Sequence, residues 1–85
     1  MLTKKIKFAE KDVIEEIKEF VNIASKYPED VDIVSGRYLI DAKSIMGLFS
    51  LDASSELTLM IHNDKPENKP QLDRLLNSLE RFIIS

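Results

Sequence analysis

The alternation of apolar and polar residues changes period several times along the chain, and each change marks an element. Lys5-Ile6-Lys7-Phe8 alternates with period two, which turns Ile6 and Phe8 toward a core and the lysines toward water, as in a half-buried strand. Between Val13 and Ala24 the apolar positions are Val13, Ile14, Ile17, Phe20, Val21 and Ala24, the spacing of an amphipathic helix. Asp12, with Glu15 three residues on, forms a capping-box-like start, and Pro28 ends the helix just after Tyr27. Val31-Asp32-Ile33-Val34 and Arg37-Tyr38-Leu39-Ile40 are β-branched and aromatic runs, and Ser35-Gly36 between them predicts a hairpin.

Ser44 can cap a short helix reaching about Leu51, although Gly47 inside it costs roughly 1 kcal/mol of helix propensity relative to Ala. Leu57 to Ile61 reads as a fourth strand, and Asn63 to Pro70 as a loop. Leu72, Leu75, Leu76, Leu79 and Ile83 trace the stripe of a final helix. The predicted order is β-α-β-β-α-β-α in a single α+β domain over residues 1–85. This is an open-faced β-sandwich, a four-stranded antiparallel sheet with three helices on one face.

Composition narrows the function classes. Twelve basic and 15 acidic side chains give a net charge of −3 with both signs interspersed, so no basic field exists to hold nucleic acid. The absence of cysteine removes disulfide, thiolate-metal and thiol-nucleophile chemistry. No apolar run approaches the roughly 20 residues of a membrane span, and the first ten residues do not read as a signal peptide, so a cytoplasmic protein is expected. No glycine-rich phosphate loop, metal-ligand cluster or nucleophile–base pair is present, so neither an enzyme nor a bound metal or cofactor is expected.

The segment Ala42-Lys43-Ser44-Ile45-Met46-Gly47-Leu48-Phe49-Ser50-Leu51 is similar to the regulatory-serine segment of HPr, the phosphocarrier of the bacterial sugar phosphotransferase system. Its Lys-Ser-Ile-Met-Gly core matches over five consecutive residues. Ala24-Ser25-Lys26-Tyr27 lies upstream at a separation typical of that family. The resemblance implies the HPr fold and, at the start of the first helix, a histidine that relays a phosphoryl group, set in a Gly-hydrophobic-His-Ala-Arg-Pro context. Counting back from Ala24 without gaps puts Val13 at the place of that histidine, Glu15 at that of the arginine and Glu16 at that of the proline. A valine offers no nucleophile and the carboxylates repel phosphate. In this the chain resembles the catabolite-repression variant of the family, which also lacks the histidine.

Ser44 has two readings: a plain helix cap, or the serine that a dedicated kinase phosphorylates in many Gram-positive relatives, placing phosphate against free helix N–H groups. Lys43 reads as a solvated lysine or as a charge that helps hold such a phosphate. Ile45, Met46 and Phe49 match an exposed apolar patch that meets partner proteins in the family, whereas Leu48 and Leu51 are the anchors by spacing. Glu10, Glu15, Glu16 and Glu19 read as a solvated face complementing the helix dipole. His62, the only histidine, reads as a strand-end or turn residue. Together these residues predict a non-catalytic, monomeric regulatory adaptor that binds protein partners, such as a serine kinase, a transcription regulator or transport components, through the Ser44 surface. The rival readings are a phosphocarrier using another residue and an interaction module with no remaining phosphotransferase role.

Overall fold

A central strand, β4 (Leu57–Ile61), organises the sheet by pairing on both sides. In the computed structural model, which describes residues 1–52 and 55–85, it lies antiparallel to β1 (Leu2–Ile6) and to β2 (Val31–Ser35). The strand β3 (Tyr38–Asp41) then pairs with β2, giving the order β1-β4-β2-β3 with every pairing antiparallel. Leu57, Leu59 and Ile61 of β4 and Val31 and Ile33 of β2 point to one face and are buried, while Thr58, Met60, Asp32 and Val34 take the other. The helices α1 (Val13–Ser25), α2 (Ile45–Phe49) and α3 (Lys69–Ser78) are the other layer, as the open-faced sandwich requires.

The chain enters α1 through a 3-10 turn, Glu10–Asp12, and buries Ile17, Phe20 and Ala24 from it. Phe20 meets Phe8 and Phe82 in three mutual edge-to-face contacts, with ring centroids 5.4 to 5.6 Å apart. All three rings are fully buried. At the other end of the helical layer the buried Asn68 side chain donates to the Tyr27 hydroxyl and to the Asn63 carbonyl, so the polar group that tethers the start of α3 is satisfied.

Several boundaries differ from the sequence expectation, each for a local reason. The first strand lies earlier, at Leu2–Ile6: Phe8 is buried beyond its end, where the Lys7 amide donates to the Phe82 carbonyl. The hairpin turn is Gly36-Arg37, since Ser35 pairs with Tyr38. Gly36 supplies the positive φ, +59°, at the first turn position, the place that type II′ hairpins give to glycine. Asp12 is the N-cap of α1 but makes no side-chain capping bond; the Glu16 carboxylate reaches back instead and accepts from the Ala9 amide at 3.1 Å.

Pro70 belongs to the first turn of α3 rather than to the loop, because a helix start has no use for the N–H that proline lacks. That helix ends at Ser78, a 3-10 turn follows at Glu80–Phe82, and Ile83 leaves the helical stripe to bridge Ile6 on the outer edge of β1. There the Lys5 amide donates to the Ser85 carbonyl and the Ile84 amide to the Lys5 carbonyl.

Removing one ring of the aromatic trio tests how far the two layers depend on it. Phe82→Ala is expected to lose about 3–5 kcal/mol of unfolding free energy, the usual range for a buried phenylalanine, measured by urea denaturation followed by circular dichroism.

Candidate functional site

The link between β3 and α2 is built from backbone and short polar side chains. The Asp41 carboxylate accepts from the Lys43 amide at 2.9 Å and its carbonyl from the Ser44 amide at 2.9 Å, which turns the chain sharply out of the sheet. Ser44 is then the N-cap of α2, with extended backbone angles, and its Oγ accepts from the Gly47 amide at 3.2 Å. At the far end Ser50 closes the helix, donating its hydroxyl to the Gly47 carbonyl at 2.6 Å. Ser44 and Lys43 are both half-buried.

Gly47 decides how closely this short helix sits on the sheet. A β-carbon there would lie 2.7 Å from Cγ2 of Ile40 on β3 and 3.0 Å from the Ser44 oxygen. The residue that weakens α2 as an isolated helix is therefore the one that lets it dock. Leu48 is its buried anchor, and Ile45, expected in the exposed patch, is half-buried against the core. Met46 is 74% exposed and Phe49 39%, so these two carry the open apolar surface of α2.

Phe49 does not stand alone. The first turns of α1 and the end of α2 enclose a groove of about 720 Å³, with buried Ile17 and half-buried Val13 and Leu51 at its base. Phe49 forms one side and Ile14 the other, and Glu10 and Asp52 line it as well. Ile14 is 58% exposed although its spacing assigns it to the core stripe of the helix. Val13 and Ile14 are neighbours and diverge by about 100° around the axis, so only one of them shares the face of Ile17 and Ala24. Two adjacent β-branched apolar residues, Val13 and Ile14, opening a helix were the available signal that the apolar stripe is wider than the core needs.

The four glutamates near the start of α1 do not behave alike. Glu10 and Glu15 are exposed, the latter in a loose 3.6 Å pair with Lys18. Glu16, expected in a solvated face, has a side chain only 19% exposed and is bound by Arg81 at 3.0 Å, while Glu19 takes the same guanidinium at 2.8 Å. Arg81 also covers the Phe82 ring, 4.5 Å from its centroid. Two of the four carboxylates thus fasten α1 to the segment after α3. Among the described residues no three histidine, cysteine or acidic side chains gather as a metal site.

His62 follows β4 at the end where Ile61 pairs with Leu2 and Val31, whereas α1 begins beyond Ile6 at the opposite end of the sheet. Its Nε2 donates to the Asp32 carboxylate at 2.6 Å. The structure therefore brings Val13, Phe49 and the α2 surface together and leaves His62 apart from them.

The chain matches the family model described as the PTS HPr component phosphorylation site over residues 15–81. It is also similar to two solved structures. HPr-C-His from Thermoanaerobacter tengcongensis is 26% identical, with 93% of this chain and 89% of that one covered and a TM-score of 0.65. Crh, the Bacillus subtilis catabolite repression containing protein, is 25% identical, with 95% and 88% covered and a TM-score of 0.61, and is described as an intertwined dimer with a swapped domain. No curated protein matches the chain in sequence.

The contact beneath Gly47 gives a test in which propensity and packing predict opposite signs. Gly47→Ala should stabilise the chain if helix propensity decides, and destabilise it by about 1–3 kcal/mol if the crowding against Ile40 decides. We expect the second, with amide chemical shifts of residues 38–51 moving more than those of α3.

Proposed function

The chain belongs to the HPr family of phosphotransferase-system components, and from that premise we propose that it serves as a non-catalytic regulatory adaptor, docking protein partners on the groove between α1 and α2. The observation that carries this reading is the groove itself: it is apolar where a phosphocarrier needs an imidazole and a cation. Val13, at the place that the gapless count gives to the family histidine, forms part of its base, and Glu15 and Glu16 follow where phosphate would have to be held. Neither a nucleophile nor a phosphate-binding cation is supplied by these three positions. Met46, Phe49 and Ile14 offer the adaptable apolar contact that transient interfaces use.

Ser44 is the proposed switch. Its hydroxyl already accepts from the Gly47 amide, so a phosphoryl oxygen in its place meets the same donor, with added charge beside the Met46 and Phe49 surface. Lys43 sits next to it with the opposite charge. His62 is a poor substitute carrier, since its Nε2 is engaged by Asp32 and the residue lies at the far end of the sheet from α1.

Two phosphorylation assays distinguish the readings. Incubation with phosphoenolpyruvate and Enzyme I should leave no acid-labile phosphate; a labelled His62 would establish the phosphocarrier reading instead. Incubation with the family's serine kinase and ATP should add one phosphate by intact mass, lost in Ser44→Ala. A wild-type chain that gains none is an interaction module without the switch. Ser44→Ala itself should cost about 1 kcal/mol of stability through loss of the cap.

A further inference from the structure

The outer edge of β3 is apolar between two opposite charges. Tyr38 and Leu39 are 59% and 62% exposed and take opposite faces of the sheet, as neighbours in a strand must. Edge strands are ordinarily blunted by an inner lysine, a proline or a bulge. Here the charges stand only at the ends, Arg37 in the turn before the strand and Asp41 as its last residue.

The hairpin ladder fixes which main-chain groups this edge offers. The Ala42 amide donates to the Val31 carbonyl at 2.9 Å, so residues 31 and 42 are a hydrogen-bonded pair, and by alternation so are Ile33 with Ile40 and Ser35 with Tyr38. Tyr38 and Ile40 therefore turn their amides and carbonyls toward β2, and Leu39 and Asp41 turn theirs away from it. The Asp41 carbonyl accepts from the Ser44 amide, whereas the Leu39 amide and carbonyl and the Asp41 amide have no partner among the described residues.

An antiparallel strand laid on this edge must bring its own outward-facing residues opposite these. For a second copy of the chain that leaves few registers. A two-fold axis at Leu39 sets Leu39 against Leu39 of the second copy, Tyr38 against its Ile40, and Arg37 against its Asp41. The two Leu39 residues then exchange their amide and carbonyl bonds, and each Asp41 amide reaches the Arg37 carbonyl opposite. In the neighbouring registers Leu39 faces Asp41 or Arg37, so an apolar side chain meets a charge. Each copy contributes one guanidinium and one carboxylate, so the match comes from position and needs no excess of either sign. Asp41 also lies opposite Asp32 in its own sheet, and Asp32 already holds His62, which makes an incoming cation favourable there. Arg37 borders, with Asp52, the cleft on the helix side of the hairpin, and Lys43 lies two residues beyond Asp41.

We propose that β3 pairs with β3 of a second copy of this chain, antiparallel about a two-fold axis at Leu39, joining two four-stranded sheets edge to edge. The pairing is independent of the docking reading above and departs from the monomer that the sequence suggests. With a four-residue strand on each side the contact is small, and the pair is weak and concentration-dependent.

Sedimentation equilibrium of the full chain up to about 1 mM tests this, with amide shifts and hydrogen exchange followed over the same range. The expected result is a monomer–dimer equilibrium with a Kd on the order of 0.1 mM. Shifts should grow with concentration at residues 37–41, and exchange of the Leu39 and Asp41 amides should slow. Leu39→Lys, which sets two ammonium groups across the axis, should weaken the pair about tenfold with an unchanged circular dichroism spectrum. Arg37→Glu should weaken it about fivefold, and less so at high salt. Arg74→Glu, the same charge change at an exposed position on α3, should leave it unaltered.

A chain that stays monomeric at about 1 mM overturns the proposal. A dimer whose shifts fall on residues 2–6 or on the groove uses another face and overturns it as well, as does growth into larger species. A dimer through β3 that Arg37→Glu leaves intact, or that Arg74→Glu weakens equally, overturns the register. If Leu39→Lys loses the folded spectrum, Arg37→Glu and the shift map decide.

Discussion

The contact on which the rest of the molecule depends is the edge-to-face trio of Phe8, Phe20 and Phe82. Its three rings come from the exit of β1, the middle of α1 and the 3-10 turn after α3, segments far apart in the sequence. Aromatic rings hold both distance and angle because edge meets face, so the trio sets the depth of α1 and the path of residues 80–83 at once. Arg81 then reaches Glu16 and Glu19 from a position the trio has already chosen. The start of α1, and with it the bank of the groove that carries Val13 and Ile14, inherits its place from this arrangement.

The second bank is placed by a different constraint, the lack of a side chain at Gly47. A helix of five residues has little stability of its own and depends on tertiary contact. Leu48 supplies the buried anchor and Gly47 lets the backbone close on Ile40. The groove is thus the space between one helix held by large rings and another held by an absent one.

Elements with a clean periodicity were legible from the residues alone: α1, the hairpin with Gly36, β4, and the match of residues 42–51 to a known family. The errors lie where one residue serves two masters. Lys4 sits on the inward-facing register of β1 between Leu2 and Ile6, and so hid the first half of that strand from an alternation test. Ile83 fits a helical stripe by spacing but is drawn to the edge of β1, a pairing across 77 positions that no local window contains. Ile14 counted as core by period and faces solvent; Glu16 counted as solvated and is held by Arg81. The cap at Ser44 and the exposure of Met46 and Phe49 were readable through the motif. The groove was not, since it exists only when α1 and α2 are brought together.

The short pairing of residues 83–85 along β1 has a consequence for how such a sheet meets its own kind. Unpaired strand edges invite further strands, and a sheet with two open edges can extend without limit. Here the Ile6 end of β1 is already covered by the bridge to Ile83 and the amide bonds around Lys5, which leaves β3, four residues long, as the fully open side. Strand addition is thereby made lopsided: β3 offers its whole length to a further strand, whereas β1 has only its Leu2 end left to pair.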